Sequence, residues 1–600
     1  MIDRPNPRPG GAPRAATDIR QAHPHPVVSM NVLRSTIGAA LVASVAVPRV
    51  LAAQAPEVVP AAMAARPDSA RVLHGARLAQ AEFERTRYHK LPWSIEQAGS
   101  GGANCDERVG RFCLWTDDID DNWRPPAEAV EVATARVRLI ALLDSAAAAF
   151  PGDGWVAGQR VRYLVEDGRF DAARKAAREC RADPWWCQAL DGYALHFAGN
   201  YLAAEQAFAA AKAAMSPVAR SEWDELSPAV NDADAKALDR LPPARRDSAV
   251  RTLWWLAQPF WMDDGNDRLT EHYARLVAER MQDRSRNVEG IYWADDLREI
   301  LIRWGLPSGW ERLRPPVGQT EGPVVTHYPP RFEFIPPLAM VLDPLSIRAD
   351  QWHTGERHSH SLYAPPGMRR LSLLAHQVAV FRRNGQAHVV AAFAMKPDSM
   401  PLNPQIDAGL VLMRAPDAER HVARAKISGT RGTLQIDAVP EQTLISLETR
   451  EPLSERTARA RFGIDLRRRE SHGISVSDVL LLEHAGARPH SLEEALQAAR
   501  PGTAVRAGER VAVFWETYGV ARTDSLTYSV SLTRRESGAR PAATPVRMRF
   551  TEAAGADGIA PRALGVAIPR VSPGTYVLHL VARTRSGAEV STERELTVTR

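Results

Sequence analysis

Two adjacent stretches of the chain repeat in phase: GRFDAARKAAREC at Gly168–Cys180 and GNYLAAEQAFAAA at Gly199–Ala211. Phe170 recurs as Tyr201, Ala173 as Ala204, Ala177 as Phe208 and Cys180 as Ala211, always 31 residues on. A small-residue helix that recurs this way packs on its neighbour rather than folding alone, so the chain contains stacked helical hairpins. Such stacks usually present binding surfaces and seldom supply a catalytic constellation.

The punctuation agrees. Trp155–Glu166 and Phe170–Arg181 read as one hairpin turned by Asp167-Gly168, and Trp185–Ala198 and Tyr201–Met215 as a second turned by Gly199-Asn200. Asp183-Pro184 breaks the chain between them. Gly192, Tyr201, Ala204, Phe208 and Ala211 resemble the tetratricopeptide pattern, with small residues where helices touch and an aromatic after the turn. Helices are also expected over Pro67–His89, Pro125–Phe150, Asp247–Gln258, Arg268–Gln282 and Asp295–Trp304. In the Pro125 helix, Val130, Ala133, Val137, Ile140 and Ala141 set out an apolar face.

One segment carries a further resemblance. Pro259-Phe260-Trp261, Gly265-Asn266-Asp267-Arg268, Glu271-His272-Tyr273, Trp293-Ala294-Asp295-Asp296 and Ile302-Arg303-Trp304-Gly305-Leu306-Pro307 are similar to the GWxTD domain of exported bacterial proteins. Trp293 and Asp296 hold that motif's Trp and Asp, while Tyr292 replaces its Gly and Asp295 its Thr. The likeness covers about residues 254–314. It implies export and a helical-then-β layout, and it brings no activity or site residues, since that family has none assigned.

After Pro315-Pro316 the texture changes: of 15 tryptophans only Trp352 and Trp515 lie beyond Trp310. A proline-rich linker (316–337) gives way to alternating segments. Val378–Arg383 and Ala387–Met395 flank Asn384-Gly385, which supplies the positive φ angles of a type I′ hairpin turn. Gly409–Met413, His421–Ile427, Gly432–Ala438, Thr443–Glu448 and Ala458–Leu466 continue the rhythm of an antiparallel sandwich over 338–470. A second unit, 474–600, holds strands at Val476–Leu482, Arg510–Glu516, Thr527–Thr533, Tyr576–Arg583 and Glu589–Val598. Its Pro573-Gly574-Thr575-Tyr576 resembles immunoglobulin-like and fibronectin-like modules. The fold class is therefore multidomain α then β: a tetratricopeptide-like solenoid over 54–315, with its hairpins at 155–217, then two antiparallel β-sandwich modules.

The N-terminal stretch reads as an address. Met30-Asn-Val-Leu-Arg34 is a short basic segment, Ser35–Val47 an apolar core of secretory length, and Leu51-Ala52-Ala53 a cleavage site before Gln54. Residues 1–29 read as an over-extended start, and 30–53 as the signal peptide. Export would carry the chain to the periplasm or beyond, where its four cysteines fall into two close pairs, Cys105 with Cys113 and Cys180 with Cys187. Four cysteines allow three connectivities, and proximity favours these two. A formal charge of +5 over 600 residues is a thin field, and lysine supplies only six of the 76 basic residues. No basic stripe interleaved with aromatics appears, which argues against nucleic acid.

Candidate chemistry is sparse. His353, Glu356, His358 and His360 follow Trp352, and His358 and His360 would point the same way on an extended segment, so a three-ligand zinc site is conceivable there; a polar loop is the simpler reading. Asp118, Asp120 and Asn122 match a fragment of a calcium loop, but Trp123 stands where Gly is required. Asp263-Asp264-Gly265-Asn266-Asp267 reads as a cap for the Arg268 helix. There is no Gly-x-Ser-x-Gly or Ser-x-x-Lys motif, and a lone Glu516 sits on a strand. Trp185-Trp186 and Trp254-Trp255 could form a ligand shelf or interhelical core.

No catalytic residue and no cofactor are expected. The chain reads as an exported, non-catalytic binding or scaffold protein of the cell envelope. A protein or peptide partner would lie on the concave helical face near Trp155, Trp185 and His196. A carbohydrate or cell-wall binder is the alternative, and a metal-dependent hydrolase at His353, His358 and His360 a more distant one.

Overall fold

The computed structural model describes residues 69–94, 107–114, 123–315, 322–329, 331–352, 360–398, 400–467, 470–471, 473–484, 486–521, 525–535, 546–553 and 558–600. The proposed signal segment, Asp118–Asn122, Cys105, and His353, Glu356 and His358 lie outside them.

The helical half is built of α1 (Ser69–Lys90), α2 (Val130–Ala149), α3 (Gly154–Glu166), α4 (Phe170–Glu179), α5 (Pro184–Phe197) and α6 (Tyr201–Ala214). Two short helices, α7 (Pro217–Trp223) and α8 (Asp232–Asp239), follow, then α9 (Pro243–Ala257), α10 (Asp267–Gln282) and α11 (Asp295–Trp304). The repeat forms as its spacing predicts. Gly168 and Gly199 turn the two hairpins at φ 69° and 74°, a conformation that favours glycine. Ala173, Ala177, Ala204, Phe208 and Ala211 are all buried in one core. A Cβ on Gly192 would come within 2.8 Å of the Phe208 ring, so α5 and α6 approach through that glycine. Val161 and Ala177, 31 residues earlier, occupy the equivalent positions and are equally buried. One copy thus carries bulk on the first helix and the other on the second.

Of the two expected disulfides, one is described. Cys180 and Cys187 are bonded, joining the end of α4 to α5. The expected Cys105–Cys113 bridge is not among the described bonds. Cys113 stands on the short strand Phe112–Leu114, opposite Arg108 of the antiparallel strand Glu107–Val109, and that hairpin turns before Cys105 is reached. Since Cys105 lies outside the described residues, the pairing of Cys113 stays an expectation of the sequence.

Two further expectations change here. The helix after Pro125-Pro126 begins only at Val130, with Ala129 its extended N-cap. Its buried face is Val132, Arg136, Leu139, Ile140, Leu143 and Ala146, and Val130 and Val137 are exposed. An alanine-rich helix is apolar on several sides, and Arg136 turns inward because Glu128 and Asp167 meet it.

The described part of the expected linker, residues 322–329 and 331–337, also joins the fold. Val324–His327 is a buried strand pairing antiparallel with Gly309–Arg312. A further short helix, Leu338–Leu342, and Trp352 join the core around α9, so this segment belongs to the junction between the halves.

The first sandwich pairs five strands in the order His421–Ser428, Gln405–Met413, Gln442–Glu451, Arg456–Asp465 and Arg370–Leu373, the last added parallel. Arg431–Ala438, Gln386–Ala394 and Ala375–Arg383 make the facing sheet. Asn384 and Gly385 take φ 50° and 80°, the expected hairpin turn. The second sandwich carries Arg510–Tyr518 central in one sheet, with Ser525–Arg534, Gly574–Thr584 and Glu589–Thr599 adjacent in the other. The expected strand at Val476–Leu482 is two short ones, Ile474–Val476 and Leu480–Leu482. Among the described residues no helix is long and apolar enough to cross a membrane.

Candidate functional site

Residues 256–263, at the end of α9 and in the segment leading to α10, cross the face of the first sandwich. Glu448, fully buried, accepts the backbone N–H groups of Trp261 (2.9 Å) and Met262 (2.8 Å). Arg461, equally buried, donates to Glu448 (3.1 Å) and to the carbonyls of Leu256 (2.9 Å) and Gln258 (3.1 Å). Its guanidinium lies 3.8 Å from the Trp261 ring centroid. Gly409 admits Met262, since a Cβ there would sit 2.8 Å from the Met262 Cβ. Asp263 and Asp264 pair with Arg450 and Arg420 of the sandwich, and Asn266 caps α10 by accepting from Leu269 N–H. Of the expected acidic cap, only Asn266 caps.

Asp296, Trp304 and Gly305 serve the fold. Asp296 accepts from its own helix end at Leu297 N–H (2.8 Å) and from Arg111 (2.6 and 2.8 Å). Trp304 is buried, and Gly305 at φ 82° makes room for Arg275, which donates to the carbonyls of Ile302 and Leu362.

The residues named for a concave binding face are enclosed by α10. Trp155 donates to Ser285 Oγ (2.9 Å), Trp185 and Trp186 lie under Arg280, and a Cβ on Gly158 would meet Met281 at 3.2 Å. His196 Nε2 pairs with Glu271 (2.8 Å) and Nδ1 with Thr270 Oγ1 (2.9 Å). That trio has the connectivity of a nucleophile, base and acid. Thr270, however, is fully buried and its hydroxyl bonds back to the Asn266 and Asp267 carbonyls. Trp254 and Trp255 are core, the latter stacked on Trp261 at 4.9 Å.

His360 contacts the Ser227 carbonyl (3.1 Å), and burial holds its pKa below the usual value. Among the described residues no group of three metal-ligating side chains converges. Glu516 is buried, and Arg383 holds it through two bonds of 2.7 and 2.9 Å.

Among the described residues a cavity of about 440 Å³ lies between α1, the start of α2, α3, α10, α11 and the Gly309–Arg312 strand. Met281, Leu297, Ile300, Leu301, Leu306 and Trp310 make its apolar wall, and exposed residues Lys90 and Pro125–Glu128 stand at its mouth. That wall comes from residues between 281 and 310. Its polar side is a network of buried charge. Arg87 donates to Glu84 (3.2 Å) and Glu166, and Arg162 to Glu166 (3.0 Å), Glu84 (3.3 Å) and Gln282 (3.1 Å). Tyr163 completes it with a 2.7 Å bond to Glu84. Burial alone would raise the Glu166 carboxyl, but the Arg87 and Arg162 guanidiniums bring it down to about 2.

Glu289 differs. Its Oε1 accepts Trp310 Nε1–H (2.8 Å) and the Thr326 hydroxyl (3.4 Å), and no ion pair joins it to a cation among the described residues. Burial pushes its carboxyl above the usual range. Nothing in the sequence marked it: a lone acid in Asn287-Val288-Glu289-Gly290 has no motif, and its neighbours come from segments far apart in the chain.

No family model matches the chain, and no curated protein matches it. Among solved structures it is similar to a red sea bream transglutaminase, at 10% identity and TM-score 0.14, over 41% of this chain and 37% of that one. It is also similar to a DUF3823 family protein from Bacteroides ovatus, at 8% identity and TM-score 0.15, over 37% of this chain and 98% of that one. Likenesses at this level carry no functional argument.

Proposed function

We propose that the chain is an exported, non-catalytic binding protein of the cell envelope. Its helical hairpins frame the site, and the cavity beneath α11 receives an apolar group of a peptide or protein partner. The observation that carries this reading is the cavity itself: about 440 Å³, walled by leucine, isoleucine and tryptophan, and reached past exposed residues. Binding sites combine such apolar walls with a few placed polar groups. The alternative groove, along α3 and α5, is filled by α10 of the same chain. The Cys180–Cys187 bond and the likeness to the GWxTD domain are compatible with export.

The test is titration of the neutral fluorophore N-phenyl-1-naphthylamine against the mature chain and against Leu306→Trp, which fills the half-buried edge of the cavity. One-to-one binding by the first chain and at least tenfold weaker binding by the second are expected. Equal binding by both would move the site elsewhere. Crosslinking of the mature chain in its native host, followed by mass spectrometry, should then capture a partner whose recovery falls in Leu306→Trp.

A further inference from the structure

The head group that the cavity accepts can be read from which of its charges are already spent. Arg87 and Arg162 share Glu84 and Glu166, and Arg136 faces Glu128 and Asp167. An anionic ligand would have to compete with carboxylates already in place, and only Arg136 Nε is left over on that side. Glu289 is the opposite case. It is half-buried, lines the cavity, and has two neutral donors on one oxygen and no cation within ion-pair distance among the described residues. A carboxylate withdrawn from much of its water is costly unless it is neutralised or paired. The apolar wall of Leu301, Leu306 and Trp310 borders the same space.

We infer that the cavity takes a primary ammonium carried on an apolar body, with the ammonium seated on the Glu289 carboxylate. This deepens the binding reading above and rests on it. The ammonium supplies three donors and a positive charge where the protein supplies an acceptor and none. The same chemistry is offered by a small alkylamine and by the free amino end of a peptide that begins with an apolar residue.

Calorimetric titration of the mature chain with hexylamine, 1-hexanol and hexanoate tests the head group with the tail held constant. Leu-Ala-Ala-amide and its N-acetylated form test the peptide source. Hexylamine is expected to bind at least tenfold tighter than hexanol or hexanoate, and to lose that advantage in Glu289→Gln while hexanol binding is kept. Retained hexanol binding also shows that the variant has folded around an intact cavity. A free peptide that binds where its acetylated form does not identifies the source as a chain end, and hexylamine binding without peptide binding identifies a small amine. Equal affinity for the three six-carbon probes, preference for hexanoate, or an unchanged preference in Glu289→Gln would overturn the inference while leaving the cavity a site. Binding of none of the probes would sink the cavity reading itself.

Discussion

The seam between the helical half and the first sandwich and the cavity beneath α11 both bury charge, and they treat it differently. In the seam, Glu448 and Arg461 are each fully buried, ion-paired, and bonded to backbone from the opposite half. No room is left there, and Gly409 marks how closely the surfaces meet. At the cavity, Glu289 has neutral donors only, and open space lies against it. A buried pair satisfied on every side holds an architecture in place, whereas a half-buried acid facing a cavity without a cation is equipped to meet something else.

The comparison can be broken most severely at the seam. Glu448→Gln leaves the Arg461 guanidinium buried without its counter-charge and should lower stability by about 3–5 kcal/mol in urea unfolding. Glu448→Gln with Arg461→Met should recover most of that loss, because removing both charges leaves nothing uncompensated. A single variant as stable as the parent would mean that the seam is wet.

Asp267 tests what an uncompensated acid costs. It is buried beside Tyr363, whose hydroxyl donates to it at 3.1 Å, and burial pushes its carboxyl up to about 7 against an ordinary 3.8. The folded state therefore holds a proton that the unfolded chain releases, and stability falls as pH rises between those values. Asp267→Asn should be more stable than the parent by on the order of 4 kcal/mol at pH 8. The two should converge below pH 3.8, as unfolding at a series of pH values would show.

Smaller effects follow. Replacing Cys180 and Cys187 by serine opens a bridge between residues seven apart and should cost about 2 kcal/mol, with probe binding in the cavity intact. Glu289→Gln should be at least as stable as the parent at pH 8, since it removes a partly desolvated acid that lacks a cation. A marked loss of stability would assign Glu289 to the architecture, as Glu448 is.

What the sequence made legible was local. The 31-residue spacing and the Gly168 and Gly199 turns announced the hairpins, and Asn384-Gly385 announced its β-turn. The alternation of short segments announced the sandwiches. Patterns closed by distant contacts were not legible. Val324–His327 reads as part of a linker until Gly309–Arg312 pairs with it. Arg136 reads as a solvent residue until Glu128 and Asp167 turn it inward. The cavity is assembled from pieces between Arg87 and Tyr328, so no window of sequence contains it. The histidines at 353 and 358 lie outside the described residues, and His360 by itself is bonded to a carbonyl.

The most direct measurement is a crystal structure of the protein grown with hexylamine. The account predicts density for the six-carbon tail against Leu301, Leu306 and Trp310, with the nitrogen within hydrogen-bond distance of Glu289. An empty cavity at saturating amine, or the amine bound away from Glu289, would contradict it.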